Sequence, residues 1–326
     1  STASGVEQVN IRTPGAGGVS RNVFSRFDVD SKGVVLNNSH ADTRTSIAGM
    51  VTANPWLAGG EAKIILNEVN ARDPSQLNGF IEVAGKQAQV VIANPAGITC
   101  SGCGFINANR ATLTTGQVQI SEGNLTGYRV SQGDITIGPG GMDTSRQDHT
   151  DLISRTVKIN AALWAKDLRI TAGRNQVDAG NRQVSSLQGD SGTRPALAID
   201  VALLGGMYAN KIKLLGTEKG VGVHNAGNIG VSAGNVELTA DGKIVNRGNI
   251  DSSGNLALSS ATGISNSGAV YAAGNVGLSA DGKISNQGTI YSDSQLSLSS
   301  ASDISNSGNM YATGNAQLSS QRMLDN

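Results

Sequence analysis

Ile264-Ser-Asn-Ser-Gly268 returns twenty residues later as Ile284-Ser-Asn-Gln-Gly288, and twenty later again as Ile304-Ser-Asn-Ser-Gly308. Ile244-Val-Asn-Arg-Gly248 precedes the series at the same interval, and Val223-His-Asn-Ala-Gly227 lies 21 residues before that. Within each unit, Gly-Asn at 234, 254, 274 and 314 (Ser294-Gln295 in the fourth) leads to Leu238, Leu258, Leu278, Leu318 and Leu298. The one extra residue therefore falls between Gly227 and Gly234. A unit this short, with two or three alternating apolar stretches and Gly/Asn turns, cannot bury its own apolar face. Stacked on copies of itself it can, with one coil rising by the spacing between strands, about 4.8 Å. The pattern predicts an all-β fold, a parallel β-helix with Ile and Leu inside. Asn225, Asn246, Asn266, Asn286 and Asn306 would form an amide ladder along one corner. The leucine-rich pattern L-x-x-L-x-L-x-x-N and the calcium-binding G-G-x-G-x-D pattern are both absent.

Composition agrees with a turn-rich β protein. Of 326 residues 43 are glycine and 15% are charged, the latter well below the roughly 25% of ordinary globular chains. Lys plus Arg and Asp plus Glu balance at 25 each, so no basic field points to nucleic acid. The longest apolar runs, such as Ile64-Ile65-Leu66, are far too short to span a membrane as a helix. The chain starts at Ser1 with no basic-then-apolar leader, as expected of an exported protein whose signal peptide has been removed. The repeat breaks off at Arg322-Met-Leu-Asp-Asn326, which predicts an N-terminal piece of a longer molecule.

Upstream the units are less regular. Large apolar residues before residue 60 (Phe24, Phe27, Trp56) suit a cap over the first coil. Strands are expected around Ile64–Val69 and Phe80–Ile92, with Ala84-Gly85-Lys86 turning the second back on itself. Residues 173 to 195 read as a surface loop or a small hairpin. Two Asn-Pro turns stand forty residues apart, Asn54-Pro55-Trp56-Leu57 and Asn94-Pro95-Ala96-Gly97-Ile98. Proline presets the second turn position and Asn bonds back onto the backbone. Each turn either closes a strand bend or does more, and the apolar pair Trp56-Leu57 shifts the first toward a recognition feature or a packing anchor.

Cys100 and Cys103 are the two cysteines. They could form a disulfide, half a zinc site or a redox pair. Zinc needs about four ligands, whereas His40, His149 and His224 are scattered. A redox pair usually opens a helix in a βαβ unit, and none is visible. A structural disulfide is the favoured reading and points to export. No cofactor or metal site is expected. Ser145, Asp148, His149, Asp151 and Ser154 gather triad residue types in one short stretch, but triads are assembled from distant parts of a fold. The repeats carry isolated Asp241, Asp281 and Asp303. The chain therefore reads as non-enzymatic, the alternative of another class being a polysaccharide-active β-helix enzyme.

The first 200 or so residues resemble the secretion domain of two-partner secretion exoproteins, the filamentous-haemagglutinin family. The matching stretches are Gly5-Val-Glu-Gln-Val-Asn-Ile11, Gly33-Val-Val-Leu-Asn-Asn-Ser39, Asn54-Pro-Trp-Leu57 and Asn94-Pro-Ala-Gly-Ile98. Cys100-Ser-Gly-Cys-Gly-Phe-Ile-Asn107, Asp151-Leu-Ile-Ser-Arg155 and Ile159-Asn-Ala-Ala-Leu-Trp-Ala165 resemble its cysteine-bearing branch. Residues 222–326 resemble the haemagglutinin-type repeats that follow that domain. The whole is most similar to the contact-dependent growth inhibition toxins of CdiA type, with an adhesin or haemolysin of the family as runner-up. The resemblance implies a right-handed parallel β-helix with an N-terminal cap and extra-helical strands, its secretion domain spanning residues 1–221. It also implies Sec export and recognition in the periplasm by the POTRA domains of an outer-membrane barrel, ending at the cell surface of a Gram-negative bacterium. The family's second motif usually reads N-P-N-G-[IL], and Ala96 replaces its inner Asn. Alanine does not suit the positive φ of a type II turn, so a type I turn is expected at Asn94.

Overall fold

Each repeat folds into three short strands, exemplified by Ile264–Asn266, Ala269–Ala272 and Val276–Ala280. In this computed structural model, which describes residues 2–189 and 192–326, each strand pairs in parallel with its counterpart twenty residues on. Alternation fixes the faces. Ile264, Val270, Val276 and Leu278 point inward and are buried, whereas Ala257 and Ser259 on the strand Leu256–Ser260 face out. The backbone groups of one coil are satisfied by the next, so burial and hydrogen bonding both accrue coil by coil. The register runs at 21 from Asn228 to Val231 and at 20 from Val236, which puts the extra residue in the corner between them.

The amide ladder is present. Nδ2 of Asn225, Asn246, Asn266 and Asn286 donates to Oδ1 of the next Asn at 2.8–2.9 Å, and Asn306 continues the line to Asn326 at 2.7 Å. Two further corner devices were not anticipated. Ser260 Oγ donates to Gly242 O at 2.7 Å and accepts from Gly263 N, and Ser300 Oγ donates to Gly282 O in the same way. The Gly-Asn pairs have a role too: Oδ1 of Asn235 and Asn255 accepts from the backbone N–H of the Asn one coil on.

The chain divides into two compact units. One comprises the residues up to Arg155 with Trp164–Lys166 and Arg174–Leu187, and the other comprises the rest. The second unit holds the repeats just described. In the first unit three parallel ladders build the coils. Glu7–Asn10, Val34–Asn38, Phe80–Gly85 and Cys103–Ile106 form one. Val19–Phe24, Ile64–Val69, Ala88–Ala93, Ala108–Thr114 and His149–Ser154 form the second. Ser75–Leu77, Ile98–Cys100 and Asp134–Ile137 form the third.

Phe80–Gly85 and Ala88–Ala93 thus lie in different ladders. Ala84-Gly85-Lys86 is a corner between two faces, not the hairpin turn expected, because each strand finds its partner one coil away. Gly85 is required there: it has φ +81°, and a Cβ would approach Asn38 O to 2.6 Å. The cap also departs from expectation. Phe27 is buried and packs edge-on against Phe24 with ring centroids 5.1 Å apart, but Trp56 is 60% exposed and plugs nothing.

Two elements stand outside the coils. Thr43–Thr45 and Gly49–Val51 form an antiparallel hairpin. Gln117–Ser121, Asn124–Val130, Asn175–Asp178 and Val184–Ser186 form a four-stranded antiparallel sheet. Of the two readings of residues 173 to 195, the hairpin is the one found, over Asn175–Ser186; Asp190 and Ser191 lie outside the described residues. The extra-helical sheet lays Val118, Ile120, Tyr128, Val130 and Val177 on Val19, Leu66, Val91 and Ile153 of the coil ladder. This explains the unbroken runs Ile64-Ile65-Leu66 and Val90-Val91-Ile92. Those strands are covered on both faces, whereas the repeat strands, wet on one face, alternate.

Candidate functional site

Asn54 caps a single 3₁₀ turn, Pro55–Leu57, and its side chain is spent entirely within the fold. Oδ1 accepts from Trp56 N at 3.0 Å, while Nδ2 donates to Ile11 O and Asn37 O, both at 2.9 Å. The turn is thereby pinned to two neighbouring strands. Leu57 is buried beneath it, Pro55 is exposed, and Trp56 projects outward. The Trp56 carbonyl accepts from Thr13 Oγ1 at 2.7 Å. Beside the turn, His40 bonds to Glu61 and holds that carboxyl below the usual carboxylate range.

Asn94 repeats the arrangement. Its Oδ1 accepts from Ala96 N, and its Nδ2 donates to Asp73 O and Ser75 Oγ, all at 3.0 Å. Gly97 N closes the turn on Asn94 O at 3.1 Å. Ala96 stays out of the left-handed region, as a type I turn requires of its third residue, and Gly97 after it has φ +129°. Ile98 and Gly97 are buried; Pro95 and Ala96 are half-buried. Cys100 and Cys103 follow at once, bonded to each other and buried, with Cα atoms 5.4 Å apart and Gly102 at φ +82° making the tight loop possible.

The two turns open onto one stretch of surface. Trp56 lines a cavity of about 700 Å³ together with Asn10, Arg12, Val19, Arg21 and Ile120. Pro95 lines a groove of about 350 Å³ with Arg21, Val23, Glu68, Gln117 and Val118. Arg21 borders both, and Gln117–Ser121 runs along both. Arg21 Nε donates to Glu68 at 2.7 Å, and Val23 is 56% exposed between them.

The Asp151 stretch has a structural task. Asp151 is 1% exposed and takes a two-pronged bond from Arg110, at 2.7 and 3.0 Å, plus one from Thr112 Oγ1 at 2.8 Å. Arg110 also donates to Gly180 O, and Asn181 Nδ2 to Asp151. The extra-helical hairpin is thereby clamped to the coil wall, above Tyr128, whose phenol burial pushes well up. Ser154 Oγ is engaged with Gly133 O and Thr115 Oγ1. Alternation along His149–Ser154 puts Ser154 on the face opposite His149 and Asp151, and Ser145 and Asp148 lie outside that strand. Among the described residues no three His, Cys, Asp or Glu side chains group as a metal site would, and no helix is long and apolar enough to cross a membrane.

Comparison with known proteins places this geometry. A family model described as the TPS secretion domain matches residues 1–246, and the haemagglutinin repeat matches residues 231–322. "Toxin CdiA" of Yersinia pestis is 64% identical over 271 residues, covering 83% of this chain and 8% of that protein. "tRNA nuclease CdiA-2" of Burkholderia pseudomallei is 46% identical over 246 residues, 75% of this chain and again 8% of the relative. The chain therefore spans about 8% of the length of these relatives. The crystal structure of the filamentous hemagglutinin secretion domain superposes with a TM-score of 0.65 at 30% identity, covering 98% of this chain and 94% of the other. A β-helix with a clamped extra-helical sheet and two Asn-Pro turns, matched by that family model over three quarters of its length, belongs to the TPS (two-partner secretion) secretion-domain family, in the form carried by CdiA-type exoproteins.

Proposed function

We propose that this chain is the N-terminal secretion module of a large surface exoprotein, exported by Sec and recognised in the periplasm by the POTRA domains of a CdiB-type outer-membrane barrel. The secretion domain proper is taken as residues 1–221 and the repeat stalk as 222–326. The parent protein is a contact-dependent growth inhibition toxin, with the stalk holding the distal toxin away from a Gram-negative cell surface. The module performs no catalysis; its product is an initiated, correctly started β-helix outside the cell.

The observation that carries this reading is the pairing of buried Asn54 with exposed Trp56 on one pinned turn. An exposed tryptophan on a rigid mount is a typical interface anchor. Asn54, Pro55 and Leu57 set the mount, Asn94, Pro95, Ala96, Gly97 and Ile98 set the second edge of the same surface, and the Cys100–Cys103 disulfide fixes the loop behind it. Passage outward draws on folding, since each coil that forms buries its Ile and Leu on the last.

The test is secretion through the cognate barrel. Trp56→Ala should reduce export while the purified domain keeps its circular dichroism; unchanged export would refute recognition at this turn. Leu258→Asp and Ile264→Asp should slow export by blocking coil stacking, and an unaltered rate would remove folding as the driving force.

A further inference from the structure

Three tyrosines stand in one line on the outer face of the repeats. Tyr271, Tyr291 and Tyr311 are in-register partners on parallel strands, and Asp251 precedes Tyr271 in the same line. Their rings stack with centroids 5.4 and 5.0 Å apart and with planes 20° and 10° from parallel. Tyr271 and Tyr291 are half-buried, their neighbours Val270 and Ile290 pointing inward. Near-parallel rings in register lie phenol alongside phenol, so the ortho carbons of one ring neighbour those of the next.

One carboxylate serves the first pair. Tyr271 donates to Asp293 Oδ2 at 2.7 Å, and Asp293 raises the phenols of both Tyr271 and Tyr291. Ser253, Ala273 and Thr313 hold the same place in the neighbouring coils, so the acid belongs to this coil alone. A stack that served packing only would need no acid. Both cysteines are bonded to each other, so the chain offers no thiol to be oxidised ahead of a phenol. Oxidation of a phenol removes an electron and a proton together, and a carboxylate within hydrogen-bond reach takes the proton. Two radicals held side by side then couple without a search for one another.

We infer that Tyr271 and Tyr291 form a modification site, at which hydrogen peroxide and a haem peroxidase join the two rings as dityrosine. The peroxidase takes one electron from each phenol, and the phenolic protons leave through Asp293 to solvent. The two phenoxyl radicals form one carbon–carbon bond between ortho positions. The displaced ortho hydrogens pass through solvent to the oxygens, restoring both phenols. In sum, two C–H bonds break, one C–C bond forms, and one hydrogen peroxide is reduced to two waters. The link ties one coil covalently to the next and constrains the unfolded chain as a disulfide would. It is independent of transporter recognition.

The experiment treats the whole chain with hydrogen peroxide and a haem peroxidase, follows dityrosine fluorescence, and maps the product with trypsin. Lys283 separates Tyr271 from Tyr291, whereas no Lys or Arg separates Tyr291 from Tyr311. The expected product is Gly248–Lys283 joined to Ile284–Arg322, lighter than their sum by two hydrogens, from a chain that runs as a monomer on a denaturing gel. Tyr291→Phe, which keeps the ring, should abolish the joined peptides. Asp293→Asn should slow their formation by about ten-fold or more, with circular dichroism unchanged. A link confined to Tyr291 and Tyr311, or formed only between chains, overturns the site. So does an unchanged rate in Asp293→Asn, or oxidation of the exposed Trp56 and Met50 with the tyrosines left unjoined.

Discussion

Asn54 and Asn94 sit in two turns forty residues apart in sequence and make the same set of bonds: Oδ1 caps the N–H two residues on, and Nδ2 reaches two acceptors on neighbouring segments. Neither side chain is offered to a partner, since both are buried. The surface consequence of each turn falls instead to its neighbours, Trp56 and Pro95.

From this follows a stability prediction. Asn54→Ala leaves Ile11 O and Asn37 O without their donor, and should cost about 2–4 kcal/mol. Asn54→Asp keeps the cap acceptor but directs a carboxylate at two carbonyls, so it should be at least as damaging. Chemical denaturation of both variants checks the order; a milder Asn54→Asp would contradict the donor role of Nδ2.

The glycine column supplies a paired comparison. A Cβ on Gly268 would lie 2.1 Å from Gly248 O, whereas one on Gly277 would meet nothing within 4 Å. Gly268→Ala should destabilise by about 2–3 kcal/mol through backbone displacement. Gly277→Ala should stabilise by about 0.4–1 kcal/mol by restricting the unfolded chain. Thermal melts of the two variants should move in opposite directions.

Along the asparagine ladder, position should matter. Asn266 accepts from Asn246, donates to Asn286, and donates to Thr289 O at 3.1 Å. Asn266→Ala should cost about 2–4 kcal/mol of local opening free energy, and Asn306→Ala, at a half-exposed site, about half as much. Hydrogen exchange at the amides of Ser267 and Gly268 reads the first effect; equal losses at the two positions would argue against burial as the cause.

Arg110 and Asp151 make a second test of burial. Arg110→Met abandons a carboxylate that is 1% exposed, at an expected cost of about 3–5 kcal/mol. Adding Asp151→Asn should recover part of it. Proteolysis should locate the damage in Asn175–Ser186, the hairpin that the pair clamps.

The outward tyrosines predict a pH signature. Tyr271, Tyr291 and Tyr311 stack with centroids 5.4 and 5.0 Å apart, and Tyr271 donates to Asp293 at 2.7 Å. That hydrogen bond raises the Tyr271 phenol and lowers the Asp293 carboxyl. The depressed carboxyl contributes stability above its unfolded pKa, lost as pH falls through the folded value. The raised phenol contributes below its unfolded pKa, lost as pH rises through the folded value. The bond is therefore at full strength between about pH 4 and about pH 10, and its exposure keeps the effect on stability small. Asp293 raises the Tyr291 phenol in the same way, so tyrosinate absorbance should show two titrations, of Tyr271 and Tyr291, moving to lower pH in Asp293→Asn. An unmoved curve would remove Asp293 as the cause.

The twenty-residue period, the inward Ile and Leu and the asparagine corner were legible in the sequence, because a solenoid repeats its physics at every coil: each side chain meets its own copy, so local pattern and tertiary contact carry the same information. The first 190 residues lack that redundancy. Whether Ala84-Gly85-Lys86 is a hairpin or a corner depends on which strand lies one coil away, and turn residues alone are compatible with both. Trp56 read equally well as a cap or an anchor until Asn54 was seen to pin its turn outward. Asp151 carried a motif in the sequence, but its partner Arg110 stands 41 residues earlier, and only their adjacent parallel strands bring them together. By itself the sequence determined the β-helix and its family. The tertiary structure decided which side chains are spent inside and which edge, Gln117–Ser121, is left unpaired, because those outcomes depend on contacts between segments that share no repeat.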